Sequence, residues 1–227
     1  MIFLIGSIIL TSYLTLSFKL VERWGLNTFQ VIVFNYMTCV VTGSLVNGSF
    51  PVNSAALHQP WFKWACVMGA LFIILFNIIA FTAQHLGVAV ASVANKLSLV
   101  IPFIFSIYLY NERATMFKIT GIVLALIAVL LTCWPSKDQQ KTPATKTKSL
   151  LIFVPVLLFF GSGLLDTMLK YVEQSYLDDN NKNDYLVTAF AAAGFLGGLL
   201  LVTQFILGKQ QFSSKALFMG IGIGIPN

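Results

Sequence analysis

The chain has 227 residues, of which 57% are hydrophobic and only 10% charged, with a formal net charge of +6. A water-soluble domain carries about 25% charged residues, so an ordinary soluble enzyme, a disordered chain and a disulfide scaffold are excluded. The positive charge lies mostly between long apolar runs, the pattern of loop lysines that orient helices in a bilayer rather than bind nucleic acid.

A helix needs about 20 mostly apolar residues to cross a membrane. That ruler predicts spans at Ile2–Leu20, Phe29–Val46, Trp64–Gln84, Gly87–Tyr110, Phe117–Trp134, Leu150–Val172 and Leu186–Leu207, with an eighth run, Ala216–Asn227, that stops short. The first run has no basic leader and reads as a retained span, not a signal peptide. Cys39, Cys66 and Cys133 fall inside apolar runs without metal spacing and read as small buried side chains. Trp61, Trp64 and Trp134 sit at span ends, as interfacial belts require. Residues 135–149 form a lysine-rich polar linker, and 173–184 an Asp- and Asn-rich connection.

The linker separates two similar stretches. Lys19-Leu20-Val21-Glu22 closes the first span and Lys170-Tyr171-Val172-Glu173 the sixth, 151 residues on, while Asn77 and Asn227 stand 150 apart in the third and eighth. Agreeing offsets at equivalent spans predict a duplication. A repeat of five spans is odd, so the second copy enters the membrane upside down, as in secondary transporters whose substrate site lies between the repeats. The expected fold is an all-α polytopic membrane protein, an inverted 5+5 repeat of which about seven and a half helices are present. The first repeat is 1–134, the linker 135–149 and the partial second repeat 150–227.

The run Gly87 to Lys96, then Val100-Ile101-Pro102, Tyr110-Asn111-Glu112-Arg113 and Gly121, resembles the EamA-like branch of the drug/metabolite transporter superfamily. Gly161-Ser162-Gly163 to Asp166 and Gly224-Ile225-Pro226-Asn227 resemble the sixth and eighth helices of that family. The resemblance covers essentially the whole chain. It implies ten helices in two inverted halves, a central cavity, and export or uptake of small metabolites. The ninth and tenth helices have no counterpart here, so the resemblance implies a fragment; the 151-residue offset places the counterpart of Trp134 near position 285 and predicts a chain of roughly 285–300 residues.

Lys96 is the sharpest chemical feature, a charge deep in the fourth span where a lysine costs about 2.5–3.5 kcal/mol. Ser92 lies one turn before it, and Asn95, Ser98 and Pro102 form a neighbouring stripe at i, i+3, i+7. Pro102 removes a backbone hydrogen bond and opens a carbonyl toward a cavity. Lys96 reads either as a substrate-pathway cation or as a structural partner of Asp166. Asp166, in turn, reads as a proton carrier or as the i, i+4 partner of Lys170. Asn35, Asn77, Gln84 and Asn227 read first as interhelical glue. The candidate substrate-binding set is Lys96, Asn95, Ser92, Ser98, Pro102, Asn77, Asp166 and Asn227. Two Gly-x-x-x-Gly pairs, Gly194/Gly198 and Gly220/Gly224, predict close helix approaches.

No phosphate loop, nucleophile pair or metal spacing is present, so ATP-driven transport and an intramembrane enzyme are disfavoured and no cofactor or metal is called for. The expected function is a secondary transporter of small metabolites in a bacterial-type plasma (inner) membrane, with proton coupling left open. Its partners are a small-molecule metabolite and the lipid bilayer, not nucleic acid. A lipid flippase or a non-catalytic scaffold is the alternative. Orientation divides the arguments: eight of the loop lysines and arginines follow odd-numbered spans and five the even ones. The positive-inside count therefore favours an outside N-terminus, whereas the family resemblance, preferred here, implies an inside one.

Overall fold

A computed structural model describes residues 2–50, 52–110, 115–132 and 153–227. Within them the chain is helical throughout: α1 (Ile2–Arg23), α2 (Thr28–Asn47), the short α3 (Ser54–Leu57), α4 (Phe62–His85), α5 (Val88–Leu97), α6 (Val100–Tyr110), α7 (Met116–Thr132), α8 (Phe153–Tyr176), α9 (Lys182–Ile206) and α10 (Ser214–Gly224). Among the described residues five segments are long and apolar enough to cross a membrane: α2, α4, Val88–Tyr108 taken through α5 and α6, α8 and α9. The chain is a multi-pass membrane protein. Glu112, Arg113, Cys133, Trp134 and the linker lie outside the described residues.

Most expected spans match within a few residues, because hydrocarbon thickness fixes how long an apolar run must be. One does not. The expected span 87–110 is two helices, broken between Leu97 and Val100. Pro102 has no N–H to give the Ser98 carbonyl four residues back. That carbonyl is taken instead by Ile101 N at 2.9 Å, one residue early, which tightens the turn.

Polar contacts at the helix ends fix their directions. Gln84 Nε2 donates to Phe18 O (3.2 Å) and Thr28 Oγ1 (2.9 Å), so α1 ends, α2 starts and α4 ends on one face, here face I. Lys19 Nζ donates to Gln84 O at 3.0 Å across the same junction. On the opposite face, face II, Asn47 Nδ2 donates to Asp184 Oδ1 at 3.0 Å, placing the end of α2 beside the start of α9. Trp64 at the start of α4 packs on Tyr171 and Tyr176 at the end of α8, with centroids 5.6 and 6.4 Å away. Helices α1, α4 and α9 therefore run toward face I, and α2, α8 and α10 toward face II. Lys19, Arg23, Lys209 and Lys215 belong to face I, and Lys63, Lys170, Lys182, Glu173, Asp178, Asp179 and Asp184 to face II.

Lipid is as apolar as leucine, so packing rather than water exclusion holds spans together. The most extensive contacts are α4–α9, α2–α10 and α2–α9. Tyr36 of α2 sits among Phe72 and Phe76 of α4 and Phe190 of α9, with centroids 5.3–6.3 Å away, the spacing of favourable aromatic pairs. The glycine pairs close two of these interfaces. Gly194 of α9 lies against Tyr36 and Met37 of α2, and Gly198 against Met37. Gly220 and Gly224 of α10 rest on the α2 backbone, where an added Cβ would come 2.9 Å from Val31 O and 2.7 Å from Asn35 O.

The belt expectation fails at Trp61, which is buried in a cluster with Met68, Val172 and Tyr185. A tryptophan at a span end satisfies either role in a sequence, and here Trp61 packs edge-on against Tyr185 of α9, with ring centroids 6.0 Å apart.

Gln30, 1% exposed, ties the α9–α10 connection to the start of α2. Its Nε2 donates to Gln211 O (2.8 Å) and Gln210 Oε1 (3.2 Å), and its Oε1 accepts from Ser213 N (3.3 Å). Gln30→Leu removes these three hydrogen bonds, each worth about 0.5–1.5 kcal/mol net. Thermal unfolding of the purified variant should show a loss of about 2–4 kcal/mol; an unchanged melting temperature would contradict the lock.

Candidate functional site

The helices leave a cavity of about 630 Å³ between α1, α4, α5 and the residues that follow α10. Its polar wall is Thr11 and Thr15 of α1, Asn95 of α5 and Asn227; Leu10, Leu14, Phe76 and Ile79 supply the apolar wall. At about 1.5 Å per residue, Asn95 lies about 11 Å and Thr15 about 12 Å below face I, near the middle of a hydrocarbon core about 30 Å thick. Volumes of about 300–1,000 Å³ with few convergent polar groups are typical of small-molecule sites.

Each polar side chain is placed by its helix. Thr11 and Thr15, one turn apart, share a stripe of α1, and Thr15 Oγ1 donates to Thr11 O at 3.0 Å. Among the described residues nothing bonds the Asn95 amide, which stands on the cavity side of α5. Asn227 Nδ2 donates to Asn35 Oδ1 at 3.3 Å and approaches Cys39 Sγ at 3.6 Å. Asn35 is 1% exposed, and its Nδ2 has no hydrogen-bond partner among the described residues. The cavity wall thus backs onto a buried donor still in need of an acceptor.

The expected polar stripe on one face is divided. Asn95 faces the cavity, whereas Ser98 is fully buried and spends its hydroxyl on Asn95 O at 2.5 Å. Pro102, beyond the break, lines a different and open cavity of about 710 Å³ on face II. Asp166 lies at that cavity's inner end, with Lys170, Glu173, Asp178, Asp179 and Lys182 around it. Two of these acids are engaged, since Lys182 pairs with Glu173 and Asp179 at 3.1 Å each. Lys170 Nζ donates to Ser106 Oγ at 2.8 Å, joining α8 to α6. Lys96 is exposed and borders neither cavity; its ammonium bears on Asp166 across the α5–α8 contact. Ser92 is half-buried on α5. Asn77 turns back to its own helix, donating to Ile73 O at 2.6 Å.

Of the expected set, then, Asn95 and Asn227 meet in one cavity and Asp166 and Pro102 in another, with Lys96 between α5 and α8. Thr11 and Thr15 were missing from the sequence reading. Their signal, hydroxyls at i and i+4, is weak, because threonines in spans usually back-bond to their own helix. A third groove, about 570 Å³ between α2, α4 and α9, is walled by Met37, Val40, Phe62 and Phe195 and offers no charged group. No group of three or more metal-ligating side chains occurs among the described residues.

A protein of Haemophilus influenzae, described only as uncharacterized, is 25% identical over 231 residues, covering 99% of this chain and 75% of its own length. No family model matches the chain, and no solved structure does.

Proposed function

We propose that the protein is a secondary transporter that moves small metabolites across a bacterial plasma membrane by alternating access, with the inverted repeat of the drug/metabolite transporters. The observation that carries the reading is the cavity at mid-membrane depth, walled by α1, α4 and α5 of the first stretch and by Pro226 and Asn227 of the second. Transporters built from inverted repeats place their sites at such a junction.

Three features support the repeat. The offset of 151 pairs the end of α1 with the end of α8, and α1, α2 and α4 run opposite to α8, α9 and α10. Exchanging the stretches turns the α4–α9 interface into α10–α2, and these are two of the three most extensive. Within α2–α9, a Cβ on Gly43 would meet Val187 and a Cβ on Gly194 would meet Tyr36. Gly43 and Gly194 are 151 residues apart, and so are Tyr36 and Val187. A bacterial relative along the whole chain supports the bacterial membrane. Lys96 and Asp166, the two charges at depth, are the proposed coupling groups, since charges inside spans commonly mark ion or proton pathways.

Gly6 gives a direct test. It lines the cavity, and an added Cβ there has no neighbour within 4 Å. Gly6→Phe should plug the cavity, leave the melting temperature within a few degrees of wild type, and bring solute flux into proteoliposomes close to the empty-liposome rate. Wild-type flux in a folded Gly6→Phe protein sinks the assignment of the pathway.

A further inference from the structure

We infer that the transported solute is uncharged and rich in hydroxyl or amide groups, an inference that rests on the transporter reading and names its substrate class. Of the Lys, Arg, Asp and Glu among the described residues, none lines the mid-membrane cavity. Its polar groups are two threonine hydroxyls and two carboxamides, set among Leu10, Leu14 and Phe76. The two charges at comparable depth are turned elsewhere: Lys96 borders neither cavity and bears on Asp166, which opens toward face II. A carboxylate or ammonium entering this cavity would lose its water with no counter-ion to meet it, and an unpaired ion is the costliest group to bury. An uncharged solute faces the opposite balance. It gives up water hydrogen bonds and gains neutral ones, chiefly from the Asn95 amide.

Two observations show that such capacity is present. The Asn95 amide has no partner among the described residues, so it can give two N–H bonds and accept on its oxygen. Behind Asn227, the buried Asn35 Nδ2 has no acceptor among the described residues. A hydroxyl or carbonyl at the Asn227 end of the cavity would draw the Asn227–Asn35 pair into a chain of neutral hydrogen bonds. Sites built to bond a solute's polar groups reject analogues that leave those groups unpaired. Here selection falls on charge as well, because an added carboxylate or amine has nothing to pair with.

The experiment uses the full-length protein in proteoliposomes and size-matched solutes that differ in charge: glucose, gluconate and glucosamine, and uridine with its monophosphate. Influx is measured against empty liposomes. The expected result is that an uncharged member enters at least tenfold faster than its charged partners. Asn95→Leu should remove that flux and Asn95→Gln, which keeps the amide, should retain part of it. Matching melting temperatures establish that the variants are folded. Faster entry of gluconate, glucosamine or the monophosphate overturns the inference on charge but leaves the transporter reading intact. No probe exceeding the empty-liposome rate, whatever its charge, overturns both. Uncharged flux unaffected in folded Asn95→Leu overturns the assignment to this cavity.

Discussion

Replacing Gly69 by valine should lower the melting temperature by about 6–12 °C, the shift that about 3 kcal/mol produces in a chain of this size. Gly69 rests directly on the α9 backbone, in the most extensive helix interface among the described residues. A Cβ there would come 2.6 Å from Ala189 O and 2.8 Å from Ala193 N, atoms of a helix backbone that cannot swing aside as a side chain can. Relief requires the helices to separate, and with them the contacts of Phe72 with Phe190 and Tyr36. Gly121 of α7 is the control. A Cβ there has nothing within 4 Å, so Gly121→Ala should gain about 0.5–1 kcal/mol from helix propensity alone. Thermal unfolding of both variants in one detergent decides the matter: similar shifts, in either direction, would refute the close-packing account.

The second large effect concerns activity. Lys96→Met should reduce flux at least ~100-fold while the melting temperature moves by no more than a few degrees. Its ammonium is exposed and acts on Asp166 through space; among the described residues the two do not close to an ion pair. A lysine that closes no ion pair holds no contact whose loss would unfold the protein. Structure alone therefore predicts a folded and active variant, and the coupling role predicts a folded and inactive one. Asp166→Asn should lose flux similarly, and the double variant should be no worse than either single, because groups acting as one unit are not additive. Normal flux in Lys96→Met ends the claim. Lost flux with lost folding would return Lys96 to the structural role.

The fold was legible where one physical rule dominates. Span limits follow from bilayer thickness, and the glycine pairs at 194/198 and 220/224 follow from the need for helices to touch. The break after Leu97 was half legible: Pro102 announces a freed carbonyl, but whether a span kinks or splits depends on who takes that carbonyl. Ile101 N does so here, and no sequence pattern says it must. The site was less legible for the same kind of reason. Asn95 and Asn227 read as polar amides in spans, but α5 and the end of α10 had to be placed before they shared a cavity. Gln84 and Asn35 are interhelical contacts as expected, whereas Asn77 bonds its own helix. Trp61 shows the limit of belt reasoning, since an aromatic at a span end also fits a covered core.

The break between α5 and α6 bears on how the protein is made. With 10 and 11 residues, each rod reaches only about 15–17 Å, about half the hydrocarbon thickness. Neither half can enter the membrane as a span of its own, so the insertion machinery must accept Val88–Tyr108 as one segment, Lys96 included. Asp166 lies 70 residues farther along the chain and is not yet synthesised at that moment. The nascent segment must hold its lysine near water until α8 arrives, whereas the turn at Ser98–Leu99, closed by Ile101 N on Ser98 O, needs no partner helix and is available from the moment of entry.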